Sequence, residues 1–238
     1  MTFPTLHESD TLGRSNRITA DALRDAFRTV GYDTRAVDAI ELVYRFLKEV
    51  QPKLPRHELY HARMTKGNQF RRQLGRNDAV ALAAMAMIRD HRERDMGNAL
   101  RPIPRCAYLV RSLKTREEVE TLRRVYGSHF VLVAAYASRE RRRAGLAEWL
   151  RADSAVDASV VEVEADRLIA RDEGEQRNPH GQDLGDTFHR ADVFVDASDP
   201  GAEIQRFVEL LFGHPFRTPT RAELWWTGRR CGLCRCLA

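Results

Sequence analysis

Two apolar runs without polar alternation mark the middle of the chain, Cys106 to Val110 and Phe130 to Tyr136. Runs of this kind suit strands covered on both faces, as in parallel sheets. Between them Thr115 can cap a helix, Glu118 three residues on can close a capping box, and Gly127 can end the helix. Val119, Leu122, Val125 and Tyr126 then share one helical face. The stretch predicts a strand, helix, strand unit with a right-handed crossover and parallel strands.

The flanking pattern extends this reading. Ala20 to Val30 predicts an amphipathic helix with Ala22, Leu23, Ala26, Phe27 and Val30 inward, Thr19 as cap and Gly31 as stop. Tyr32 to Val37 predicts a short strand, and Ile40 to Val50 a helix with Leu42, Val43, Phe46, Leu47 and Val50 on its apolar side. After Pro52 and Pro55 come a helix from Glu58 to Leu74, interrupted near Gly67, and another from Asp78 to Arg94. Downstream, Ser138 caps a helix reaching Leu150, and Val160 to Val163 is expected as a short strand or edge segment. Residues 171 to 182 are polar throughout and are expected as a mobile loop. Asp183 to Arg190 is expected as a short helix, Ala191 to Ala197 as the last strand and Gly201 to Phe212 as the last helix. Strands alternating with helices predict a three-layer α/β fold around a doubly wound, mostly parallel sheet. Ligands in such sheets bind beyond the carboxyl ends of the strands, which here are Arg111 to Lys114, Tyr136 to Arg139 and Asp196 to Asp199.

Composition narrows the setting. No apolar run approaches the roughly 20 residues of a membrane helix, and Met1 to Asn16 lacks an apolar signal core behind a basic start, so no membrane partner and a cytoplasmic location are expected. The net charge of +5 rests on arginine, much of it in Arg139-Glu140-Arg141-Arg142-Arg143 and Arg229-Arg230. Such clusters attract phosphate or simply form a solvated helix face, and no aromatic residues interleave with them as a single-strand platform requires. Cys106 falls in the first core strand and reads as a small buried hydrophobe. Cys231, Cys234 and Cys236 crowd the last eight residues and are the metal candidates, weakly so.

Four motifs carry candidate chemistry. His57-Glu58-Leu59-Tyr60-His61 has the H-E-x-x-H spacing of a zinc protease, but Pro55 puts His57 in a first turn and no third ligand follows, so a chance match on a surface helix is the default. His91-Arg92-Glu93 with Cys231 and Cys234 matches the two halves of the zinc deaminase signature, yet Arg230 stands where that signature has proline, and no intact deaminase site is expected. Gly13-Arg14-Ser15 echoes the end of a phosphate loop, but Glu8 occupies the place of its first glycine and no apolar strand precedes it, so the loop is degenerate or missing. Arg171-Asp172-Glu173 can act as a lid whose guanidinium meets a phosphate, or be part of a solvated loop. Asn68, Gln69 and Arg71, after Gly67, can offer amides to a nucleotide base or mark a helix kink.

Residues 111 to 127, Arg171-Asp172-Glu173, Gly181-Gln182 with 186 to 196, 67 to 71 and 212 to 220 together resemble the N-terminal half of bacterial anti-phage deoxycytidylate (dCMP/dCTP) deaminases, over about residues 20 to 222. The resemblance implies a P-loop NTPase domain similar to nucleoside monophosphate kinases, followed in the family by a zinc deaminase domain that depletes deoxycytidine nucleotides during phage infection. It divides the chain into an irregular N-terminus (1–18), an α/β domain (19–216) and a tail (217–238) where the deaminase domain should begin. The tail, rich in Trp, Cys, Arg and Gly without periodicity, reads as a truncation or frameshift. The expected function is a nucleotide-binding regulatory domain without its own deaminase site, and so without certain enzymatic activity. It would take a deoxycytidine nucleotide or ATP with Mg, and zinc would belong to the full-length relatives only. Arg171, Asp172, Glu173, Lys114, Arg111, Arg139, Asn68, Gln69 and Arg71 are the expected nucleotide or phosphate contacts. Homo-oligomers and full-length relatives are further expected partners. The alternatives are a protein or regulatory-RNA interaction module and an inactive remnant.

Overall fold

The computed structural model describes residues 2–3, 14–111, 113–152, 160–175, 178–213, 218–220 and 223, all but the side chains of 2–3, 14–17 and 56. Its elements alternate as an α/β chain: β1 (Thr2–Phe3), α1 (Arg14–Thr29), β2 (Asp33–Val37), α2 (Ala39–Phe46), α3 (Arg56–Leu74), α4 (Ala79–Met96), β3 (Cys106–Val110) and α5 (Arg116–Tyr126). There follow β4 (Val133–Tyr136), α6 (Arg139–Arg151), α7 (Val161–Glu173), α8 (Leu184–Phe188), β5 (Val193–Asp196) and α9 (Gly201–Leu211).

The strands pair in parallel, in the order β1, β3, β2 and, separately, β4 with β5. Every residue of β3 is buried, and the pleat sends its side chains alternately to two cores. Cys106, Tyr108 and Val110 face a core filled by Ile40 and Val43 of α2, Val80 and Ala84 of α4, and Val119 and Leu122 of α5. Ala107 and Leu109 face a second core with Leu23 and Phe27 of α1, Val133 and Ala135 of β4, and Ile204 and Val208 of α9. Helices thus cover both faces, which is why the strand shows no polar alternation. A third core joins Leu146 and Leu150 of α6 to Ala165 and Leu168 of α7.

The central capping box is present as read: the Thr115 hydroxyl accepts from Glu118 N, and Glu118 Oε2 accepts from Thr115 N. Ser138 caps α6 through Arg141 N. Six expectations are corrected. A first strand exists, because Thr2 and Phe3 align with Cys106 and Ala107 of β3. The first helix begins at Arg14, ahead of Thr19, and α3 runs unbroken through Gly67. Val160 to Val163 is the start of α7, whose Val161, Ala165, Leu168 and Ile169 are buried at helical spacing. Arg171-Asp172-Glu173 is the last turn of that helix, not a loop. Finally, Phe46, Val50 and Val125, expected inward, are exposed.

Candidate functional site

Three consecutive charged residues at the end of α7 hold three different neighbours. Successive helical residues point about 100° apart, so Arg171, Asp172 and Glu173 diverge. Arg171 turns to α3, where its guanidinium donates to the His61 carbonyl at 3.1 Å, to Thr65 Oγ1 at 3.0 Å and lies 3.0 Å from His61 Nδ1. The same group donates to Glu175 Oε1 at 2.9 Å. Asp172, 2% exposed, accepts from the Lys114 ammonium at 2.7 Å. Glu173 turns to α6, 2.5 Å from a guanidinium nitrogen of Arg142 and 3.8 Å from one of Arg139.

The amides and cation of α3 belong to a second buried chain of contacts. Glu118 accepts from Arg71 Nε at 2.9 Å and from a terminal nitrogen at 2.6 Å, and also from Lys114 N at 2.6 Å. Arg71 and Glu118 are essentially closed to water. Arg71 also donates to Asn68 Oδ1, and Asn68 Nδ2 donates to Glu175 Oε2. Glu175 thereby joins Asn68 to Arg171, and Gln182 N donates to the same carboxylate. Gly181 lies under this carboxylate's stem, where a Cβ would fall 2.7 Å from Glu175 Cβ.

Between these contacts and the sheet is a cleft of about 220 Å³, open on one side. Ala135, Tyr136 and Ala137 at the carboxyl end of β4 form its floor, Arg142 and Glu173 one wall, and Leu184, Gly185, Phe188 and His189 the other. α6 starts just after the lining residue Ala137, so the positive end of that helix lies beside the strand end, and Arg142 of its first turn lines the cleft. Compared with protein-family models, curated proteins and solved structures, the chain has no match.

The expected site residues therefore divide. Asn68, Arg71, Lys114, Asp172 and Arg171 come together, but as internal ion pairs and hydrogen bonds that fasten α3, α5 and α7. Glu173 and Arg139 meet at the cleft. Gln69 instead accepts from Lys66 Nζ at 2.9 Å, and Arg111 stands exposed at the end of β3. Sequence reading missed Arg142, Glu175 and His189; only the spacing of Arg139 and Arg142, on one side of a helix, could have signalled the first. Cys231, Cys234 and Cys236 lie outside the described residues. Among the described residues no three His, Cys, Asp or Glu side chains cluster as metal ligands, and no helix is long and apolar enough to cross a membrane. His61 of the protease-like motif bonds Glu164 at 2.7 Å instead.

The arginine-rich run is largely spent within the protein. Arg142 and Arg139 meet Glu173, and Arg143 pairs with Glu162 and Asp166. Arg141 reaches Ser198, whose hydroxyl and amide hold the Asp196 carboxylate below its usual range.

Proposed function

We propose that this chain is a nucleotide-binding regulatory domain, similar in role to the P-loop half of the anti-phage deoxycytidylate deaminases that its sequence resembles. In this reading it senses a deoxycytidine nucleotide or ATP with Mg and has no deaminase chemistry of its own. The observation that carries the reading is the cleft at the carboxyl end of β4, the place where parallel α/β sheets take ligands. The N-terminus of α6 with Arg139 and Arg142 gives that place the charge a phosphate requires. Phe188 and Tyr136 supply apolar surface for a base. β1 followed by α1, both packed around β3, has the strand-then-helix order with which a phosphate-loop domain opens.

Arg71, Lys114 and Arg171 act in this reading as positioning residues, since each is already hydrogen-bonded inside the protein. The rival reading, an RNA or protein module on the arginine run, has less support, because Arg143 of that run pairs with Glu162 and Asp166 and no aromatic residues interleave with it. Isothermal titration of the purified chain with dCTP, dCMP and ATP, each with magnesium, tests the proposal. Saturable binding near micromolar, about −8 kcal/mol, is expected for at least one of them. No heat from a folded sample, together with salt-sensitive RNA retention, overturns it.

A further inference from the structure

Glu173 occupies the cationic wall of the cleft. Its two oxygens lie 2.5 Å from Arg142 and 3.8 Å from Arg139, and both Arg142 and Glu173 line the cavity. The Arg142 side chain is 19% exposed, and its Nε is buried without a hydrogen-bond partner among the described residues. A carboxylate held by a guanidinium is the same recognition that guanidinium gives a phosphate oxygen. An arriving phosphate must therefore either displace Glu173 or share the arginines with its negative charge.

We propose that Glu173 is a tethered competitor that keeps the cleft in a low-affinity state until an anion displaces it. The inference rests on the nucleotide reading and adds its regulation. The geometry of α7 makes the competitor movable but not free. Glu173 is the last residue of the helix, with Gly174 after it, while Arg171 and Asp172 anchor the same turn to α3 and Lys114. Swinging one terminal side chain aside frees Arg139 and Arg142 without unpacking Leu168 and Ile169. A site whose competent state is only partly populated binds with an affinity lowered by that fraction. Removing the competitor should restore it.

The test is titration of wild type, Glu173→Gln and Glu162→Gln with inorganic tripolyphosphate and with Mg-ATP. Glu162 also ties α7 to α6, through Arg143 and Arg151, but does not line the cleft, so E162Q controls for loosening of the helix pair. E173Q is expected to bind both probes at least fivefold more tightly than wild type, and E162Q to bind as wild type does. Glu173→Ala serves as a second variant with the carboxylate removed, expected to move in the same direction as E173Q. Equal or weaker binding by E173Q and E173A, with wild type still binding, overturns the competitor and leaves the nucleotide reading standing. The same tightening in E162Q assigns the effect to helix loosening and also overturns it. No binding of either probe by any of the proteins overturns the competitor, and the nucleotide reading falls with it when Mg-dCTP and Mg-dCMP also fail to bind.

Discussion

Arg71 and Glu118 are, with Asp172, the most deeply buried charges of the described residues, and each satisfies the other. Removing one partner leaves a charge in a closed interior, which costs about 3 to 5 kcal/mol. Arg71→Ala should therefore lower the urea midpoint strongly, and a midpoint within error of wild type would refute the pairing. Gln182 presents the opposite case: it is 3% exposed, yet among the described residues neither its Oε1 nor its Nε2 has a partner. A buried amide left unpaired costs about 1 to 3 kcal/mol, so Gln182→Met, close in volume, should stabilise the protein or leave it unchanged. A loss of stability would show that the amide is satisfied. The sequence placed Arg71 and Asn68 in one motif but assigned them to a nucleotide base. A linear reading cannot see that Glu118, 47 positions on, and Glu175, 107 on from Asn68, complete their hydrogen bonds.

The helices show where local pattern sufficed and where it failed. The capping box of α5 was legible because both of its partners lie within three residues. α7 was misread at both ends. Its opening Val161-Glu162-Val163 alternates like a strand, and its closing Arg171-Asp172-Glu173 looks like solvated loop until three separate partners are placed around it. β1 was missed because two residues carry no pattern, and its pairing is decided by β3. The packing of α4 on β3 gives a pH test. His91 stacks on Tyr108 with ring centroids 6.0 Å apart, and burial, then the charges of Arg94 and Arg35, push its pKa down, opposed by Asp90 and Asp95. The folded state thus disfavours the protonated ring, while the unfolded chain takes up a proton as pH falls through about 6.5. Stability is then highest above that pH and declines below it. His91→Phe, which keeps the stack, should flatten this decline between pH 7.5 and 5.5 in urea unfolding; an unchanged slope would assign the decline to other groups.

For the molecule as a whole, parallel pairing and two cores on opposite faces of β3 follow directly from the apolar runs, and the α/β class was legible for that reason. The strand-end rule named Arg111 to Lys114, Tyr136 to Arg139 and Asp196 to Asp199, and the cleft lies at the second of these. The cleft's other wall, from Leu184 to His189, was not legible: it depends on how the chain returns after α7, through Asp183 N bonded to the Lys114 carbonyl at 2.9 Å. With Lys114 and Asp172 paired inside the protein, the proposed phosphate contacts rest on α6, where Arg139 was already expected. Nucleotide binding at this cleft is tested most directly by titrating wild type and Arg142→Ala side by side with Mg-dCTP and Mg-ATP. Saturable binding by wild type, weakened at least tenfold in a folded Arg142→Ala protein, about 1.4 kcal/mol, is the expected result. Equal affinities in the two proteins would place the nucleotide elsewhere and contradict the assignment of the cleft.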